Sequence, residues 1–165
     1  MDNTNLDELV EYPAKAINVL GTNQDIVSLI TNIPNIDMSS DIAYSVFSNN
    51  IFDYGYVDST TNETAAYICV EAEGTKAGSP TVMPLRLYVT IFWHKNYMKL
   101  APEKFPGVVG NRRDNLVRCI DNLLNGTDFF GIGPLSLQSI VTRSAPIGFT
   151  ARELTYAVPD YKKLR

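Results

Sequence analysis

The sequence predicts an α+β fold in which a roughly four-stranded antiparallel or mixed sheet packs against helices. Some stretches repeat apolar residues at spacings of three and four, and four others are rich in β-branched and aromatic residues. They follow in the order helix, helix, strand, strand, helix, strand, strand, which is typical of an α+β sandwich. With 165 residues, 45% of them hydrophobic, residues 1–165 are expected to form a single domain.

Two helices are predicted before residue 35. Proline suits the first turn of a helix, so the first helix is expected to begin near Pro13, and Gly21 can end it. Thr22, followed three residues later by an acidic residue, can cap a second helix that Pro34 stops. The two could also form one bent helix, and residues 40–47 could add one or two turns.

Four segments have the composition and alternation of strands. The odd-numbered residues from Leu85 to Trp93 are all apolar, which predicts that this face of the strand lies in the core. The even-numbered residues from Arg86 to His94 are mixed aromatic and polar, which suits a face covered partly by a helix or by a neighbouring subunit. The predicted strands are 65–73, 85–94, 135–143 and 149–158.

A third helix is predicted over residues 112–124, because apolar residues form one stripe along it and an Asn-Gly pair follows it. Three connections are too long for simple turns and are expected to be flexible or to face a partner. They lie near residues 48–64, 74–84 and 96–110. The first is polar but contains three aromatic residues, which indicates that it has something to bury.

The net charge of −4 hides a steep asymmetry along the chain. Residues 1–82 contain twelve acidic and two basic residues, whereas residues 83–165 contain six acidic and twelve basic residues. Either the two halves face each other within one domain, or they lie on opposite sides and favour head-to-tail association between copies. The pI of about 4.9 and the lack of an aromatic-flanked basic run oppose sequence-specific binding of nucleic acid.

No catalytic constellation is visible in the sequence. His94 is the single histidine, and it is expected to be a strand-edge residue without a chemical role. The spacings of metal sites, Walker loops and nucleophile elbows are absent. Residues 129–133 are glycine-rich, but Ser136 stands where a dinucleotide fingerprint needs its third glycine. We therefore expect no enzyme activity, no cofactor and no metal.

Cys69 and Cys119 lie in patterned segments and are predicted to be reduced and buried. The acidic, polar start does not resemble a secretion signal, and no stretch approaches the roughly 18 apolar residues that cross a membrane. The expected site of synthesis is therefore the cytoplasm, with no membrane partner.

The densest polar cluster is GNRRD at residues 110–114. Arg112 and Arg113 would lie at the positive end of the helix macrodipole, which is unfavourable unless an anion compensates. They could bind a phosphate or a partner's carboxylate. Alternatively, Asn111 caps the helix while Asp114 complements its dipole. Both readings stay open at this point.

Five short segments of the second half carry a resemblance to a known family. They are HKNYM at 94–98, GNRRDNL at 110–116, IDNLLNG at 120–126, FGIG at 130–133 and FTARELTY at 149–156. Together they resemble the small head-to-tail joining proteins of tailed bacteriophages, namely the tail terminator or tail completion proteins. The resemblance covers residues 85–160, and the paired helices predicted near 13–33 agree with it in order.

This resemblance implies a structural virion protein of the phage neck. Such a protein forms a ring, usually of six copies, that caps the tail tube and joins it to the head connector. Its partners would be tail tube and head-connector proteins, and genomic DNA would pass through the ring. The alternatives are a tail tube or other tail subunit and, from a different class, a small ligand-binding domain or enzyme.

If copies associate head to tail, acidic surface of the first half is expected to meet basic surface of the second. Aromatic side chains would supply most of the affinity, because exposed ion pairs contribute only about 0 to 1 kcal/mol each. The candidate interface residues are Arg112 and Arg113 on the basic side, Asp53, Asp58 and Glu63 on the acidic side, and Phe52, Tyr54 and Tyr56 as apolar contacts.

Overall fold

The computed structural model describes residues 7–55, 57–58, 63–74, 84–128, 130 and 133–158. Within these residues the chain forms a mixed sheet backed by helices, which confirms the predicted α+β class. The helices are α1 (Asp7–Gly21), α2 (Gln24–Thr31), α3 (Asp41–Asn50) and α4 (Arg112–Leu124), with a short 3₁₀ helix at Lys95–Tyr97. The strands are β1 (Ile51–Phe52), β2 (Ala66–Gly74), β3 (Leu85–His94), β4 (Ser136–Arg143) and β5 (Phe149–Val158).

The five strands lie in the order β1-β2-β3-β5-β4. β1 pairs parallel with β2, and all other neighbours are antiparallel. The sequence predicted four of these strands and missed β1, which is only two residues long and lies inside the segment expected to be a loop. Two residues are too few to show the alternation of apolar and polar side chains by which a strand is predicted.

The first helix begins at Asp7 rather than near Pro13, so the proline lies inside α1 and the predicted start was wrong. Pro13 removes one backbone donor, but its ring is buried together with Tyr12, Ala16 and Leu20. Burial of this apolar stripe offsets the lost hydrogen bond. The helix therefore continues past the residue that was expected to start it.

α1 and α2 are separate helices, and the cap of α2 is Asn23 rather than Thr22. Asn23 has an extended backbone, and its side chain accepts a hydrogen bond from the Ile26 amide at 3.0 Å. The Thr22 hydroxyl instead donates to the Asn18 carbonyl of α1 at 2.7 Å. Residues 40–47 were expected to add a turn or two, and the structure has a complete helix there, α3 at residues 41–50, with Ser40 as its cap.

The main core lies between the helices and one face of the sheet. α1 packs on β2, α4 packs on β3, and α2 packs against α4. The odd-numbered residues of β3 from Leu85 to Trp93 all belong to this core, as their alternation predicted. We call this side of the sheet the helix face.

The opposite side of the sheet, the outer face, carries a second apolar cluster. It consists of Tyr67, Cys69, Phe92, Phe149 and Ala151. Phe52 of β1 and residues 57, 65 and 145, which lie outside the strands, pack against it, so loops supply part of the cover that was expected from a helix or a neighbouring subunit. The loop after β1 and the helix layer therefore lie on opposite sides of the sheet.

Candidate functional site

Arg112 is buried inside the chain, with only 1% of its surface exposed. Its guanidinium donates hydrogen bonds to the carbonyls of Leu29 and Ile30, with Nε 3.1 Å from the Leu29 oxygen and Nη2 3.2 Å from the Ile30 oxygen. Both carbonyls belong to the last turn of α2, whose final four carbonyls have no partner within the helix. Arg112 thus joins the start of α4 to the end of α2.

Two aromatic rings enclose the same guanidinium. Its carbon Cζ lies 3.7 Å from the centre of the Tyr97 ring and 5.4 Å from that of Trp93. Nη1 donates to the Tyr97 carbonyl at 3.4 Å, and Trp93 Nε1 donates to the same carbonyl at 2.9 Å. Burial lowers the pKa of Arg112, and the Tyr97 contacts oppose this shift. We call Trp93, Tyr97 and Arg112 the Arg112 cluster.

This arrangement answers the electrostatic question that the sequence raised. The positive end of α4 does not repel Arg112, because the side chain reaches the negative end of α2 instead of staying beside its own helix terminus. Its guanidinium has no access to another molecule in this fold. Arg112 is therefore not available for contact between copies, and its prediction as an interface residue was wrong.

Arg113 is engaged at the surface of its own chain. It bonds to Asp114 Oδ1 at 2.9 Å through Nη2 and to Thr150 Oγ1 at 3.2 Å through Nη1. Asn111 caps α4 by accepting from the Asp114 amide at 2.8 Å, which confirms the capping interpretation. Burial raises the pKa of Asp114, but hydrogen bonds from Arg113 and Asn111 outweigh it and leave the pKa below its usual value.

The predicted aromatic contacts near residues 48–64 form a row on the outer face. Tyr54 stacks on Phe52 with ring centres 5.1 Å apart, and Phe52 stacks on Tyr67 at 6.1 Å. Tyr67 in turn lies 6.0 Å from Phe149. Phe52 is half-buried, whereas Tyr54, at the open end of the row, is 51% exposed.

The acidic candidates belong to the same segment of the chain as Phe52 and Tyr54. Asp53, Asp58 and Glu63 are all exposed, and Glu63 accepts a hydrogen bond from the Tyr67 hydroxyl at 3.3 Å. Burial and the nearby Glu63 carboxylate raise the pKa of Tyr67. Tyr56 lies outside the described residues. The described candidates of this segment therefore include one exposed aromatic ring and three exposed carboxylates.

A pocket that the sequence analysis missed lies between α2 and α4, and we call it the α2–α4 pocket. Its volume is about 330 Å³, in the range of small ligand sites. Leu29 and Phe105 supply apolar wall, and Asp25, Lys104 and Arg118 supply charge. The wall comes from three separate segments without a shared motif, so only tertiary packing brings these residues together.

The two cysteines are unpaired and differ in accessibility. Cys69 is buried, as predicted, but Cys119 lines the α2–α4 pocket and is only partly buried, so the prediction that both are buried was wrong for Cys119. Burial raises the pKa of the Cys69 thiol to about 12, with the Glu71 carboxylate contributing. Burial also raises the pKa of Cys119, and the Asp25 carboxylate contributes.

A maleimide reagent is expected to label Cys119 and not Cys69 in the folded protein, because a thiolate must be both formed and reachable to react. Labelling of Cys119 should be slow near neutral pH and should accelerate as the pH rises toward its raised pKa. Peptide mapping by mass spectrometry measures both rates, and Cys119→Ser should show almost no label until the chain is unfolded. Equal labelling of the two thiols in the native state would contradict the burial of Cys69.

His94 lies at the end of β3 and takes part in a turn. Its Nδ1 accepts from the Asn96 amide at 3.3 Å, and its ring packs edge-on against Phe149 with centres 5.1 Å apart. Within the described residues, no group of three or more His, Cys, Asp or Glu side chains is placed to hold a metal ion. None of the helices in that part of the chain has the length and apolar character needed to cross a membrane.

The fold and these surfaces define an α+β protein with a helix-backed mixed sheet. Comparison with known families narrows this class. The model of the YomW family matches residues 23–158, which is most of the chain, and the chain belongs to that family. YomW is the name of a Bacillus prophage protein, which suggests a phage origin for the family. No curated protein matches the chain significantly.

Proposed function

We propose that this chain is a structural protein of the phage neck, a tail terminator or tail completion protein that acts without catalysis. In this proposal copies form a ring that caps the tail tube and joins it to the head connector in the virion, after synthesis in the host cytoplasm. The phage-associated family and the resemblance of residues 85–160 to neck proteins support this assignment.

The observation that carries the proposal is the separation of charge between the halves of the chain. The ion pairs Lys15–Glu11, Arg113–Asp114, Arg152–Asp114 and Arg143–Glu153 each join two residues of the same half. Among the described residues, these four ion pairs do not link the acidic first half to the basic second half, although Glu73 lies opposite Arg86 where β2 pairs with β3. A chain with unlike charge on different surfaces favours head-to-tail contacts, which close into rings when the rotation between copies permits.

Native mass measurement of the purified full-length chain tests this function. A closed oligomer of about six copies, visible as rings by negative-stain electron microscopy, is the expected result. Raising the salt concentration should weaken the oligomer without abolishing it, because charge sets orientation more than affinity. Long tubes would indicate a tail tube subunit instead. A monomer at all concentrations would contradict the ring and favour a small ligand-binding domain.

A further inference from the structure

We propose that the α2–α4 pocket receives Tyr54 of a second copy of this chain. The proposal rests on the proposed function, because it names the contact by which copies would join into a ring. It also assigns the basic side of the contact to residues other than Arg112 and Arg113. Arg112 is buried and Arg113 is bonded to Asp114 and Thr150, so we place the basic side instead at Lys104 and Arg118, which are exposed and line the pocket.

Charge complementarity favours a second copy as the occupant. The pocket carries two cations, Lys104 and Arg118, against the single carboxylate of Asp25. Tyr54 follows directly on the exposed Asp53 and belongs to the acidic surface after β1. An acidic segment with an aromatic tip therefore fits a pocket with cations at its wall, and it belongs to the same chain.

Lys104 and Arg118 both retain N–H donors that can bind a carboxylate of a neighbouring copy. Arg118 uses Nη2 to hold the Asn115 side-chain oxygen at 2.9 Å, and an arginine carries five N–H donors in all. Lys104 donates to the Asn32 carbonyl at 3.3 Å from an exposed position. Both side chains are thus oriented by their own chain and can still meet a carboxylate such as Asp53 of the neighbouring copy.

The pocket also suits an aromatic ring with one polar end. Leu29 and Phe105 give it apolar wall, and its volume of about 330 Å³ is at the lower end for small ligand sites, which suits a single side chain. Asp25 is an acceptor for a phenolic hydroxyl. Tyrosine is among the residues that most often carry the binding energy of an interface when they fill a pocket.

A chain cannot fill its own pocket with this residue. Tyr54 continues the aromatic row on the outer face through Phe52 and Tyr67, whereas the pocket lies in the helix layer on the other side of the sheet. The contact must therefore be intermolecular. It joins two different surfaces of the chain, so it is heterologous and can close into a ring.

The first test compares Tyr54→Ala with Tyr44→Ala by native mass over a range of protein concentrations. Tyr44 is a matched control, because it is an equally large tyrosine on α3 that is 74% exposed and lies outside the pocket. Tyr54→Ala is expected to raise the concentration needed for assembly at least about tenfold, as for an interface hot spot, while Tyr44→Ala leaves it unchanged. Tyr54→Phe should lie between, since it keeps the ring and loses the hydroxyl.

The second test uses Cys119 as a reporter inside the pocket. At concentrations where the wild-type chain is assembled, maleimide labelling of Cys119 should be slower than in Tyr54→Ala at the same concentration. Thermal melting of each variant checks that the fold is intact. Reversal of charge supplies a further check: Asp53→Lys and Arg118→Glu should each weaken assembly, and the two together should restore part of it.

The outcomes separate this inference from the proposed function. If the wild-type chain forms rings but Tyr54→Ala assembles like Tyr44→Ala and leaves Cys119 equally protected, the pocket is not the contact and the ring still stands. If the wild-type chain stays monomeric at every concentration, the ring and this contact are both overturned.

Discussion

Replacing Arg112 by methionine is expected to lower the free energy of unfolding by about 2–4 kcal/mol, because it removes hydrogen bonds from a charged donor and leaves a buried carbonyl unsatisfied. Methionine fills a similar length with apolar atoms but donates no hydrogen bond. The carbonyls of Leu29 and Ile30 at the end of α2 would then lose the donor that Arg112 provides. The Ile30 carbonyl keeps the donor of the Tyr97 hydroxyl, whereas the buried Leu29 carbonyl is left without this donor and carries the cost of its desolvation.

Arg112→Lys is the matched control, because it keeps the charge and removes the planar fork. One ammonium cannot reach the same three carbonyls and also lie flat on the Tyr97 ring. The free energy of unfolding of Arg112→Lys should lie between that of the wild type and that of Arg112→Met. Urea unfolding followed by the fluorescence of Trp93, the single tryptophan, measures all three.

A different result would change the interpretation of this cluster. Buried charges can sometimes be replaced by apolar residues at no cost. If Arg112→Met were as stable as the wild type, water would have to reach the end of α2 and satisfy the carbonyls there. In that case the Arg112 cluster would not be what fastens α2 to α4.

Regular patterns in the sequence located the elements that are buried on one side. β3 runs from Leu85 to His94 and α4 from Arg112 to Leu124, as predicted. Strict alternation fits only a strand with one buried face, and an apolar stripe at spacings of three and four fits only a helix with one buried face. The predicted start of α1 was wrong because proline commonly occupies the first turn of a helix, whereas Pro13 lies inside a helix that begins at Asp7. Tertiary packing outweighed a local preference there.

The candidate site was less accessible to sequence reasoning. The run at 110–114 showed that two arginines at a helix start need compensation, and the structure supplies it for Arg112 at α2, more than 80 residues earlier in the chain. Neither spacing nor periodicity links positions so far apart. The exposed position of Tyr54 and the half-buried position of Cys119 likewise depend on how helices and loops pack around the sheet.

Trp93 lies on β3 and contacts Tyr97 and Arg112, so its substitution should lower the free energy of unfolding about as much as that of Arg112. Trp93 is fully buried at the end of β3, and its ring stacks on Tyr97 with centres 6.0 Å apart. Tyr97 also donates from its hydroxyl to the Ile30 carbonyl at 2.8 Å. The two aromatic residues and Arg112 therefore act on the same end of α2.

Trp93→Ala is expected to cost about 3–5 kcal/mol, because it removes a large buried ring and leaves a cavity under the guanidinium. Trp93→Phe keeps most of the ring and loses the Nε1 bond to the Tyr97 carbonyl, so about 1–2 kcal/mol is expected. Circular dichroism in urea measures both variants, since neither retains the fluorescent indole.

The two substitutions should not add, because Trp93 and Arg112 donate to the same carbonyl of Tyr97. In the wild-type background, Trp93→Phe leaves that carbonyl with the Arg112 donor. In the Arg112→Met background the same change removes the last of these two donors, so it should cost more than it does alone. A double-mutant cycle in urea measures the difference, and strict additivity would show that the two residues stabilise the end of α2 independently.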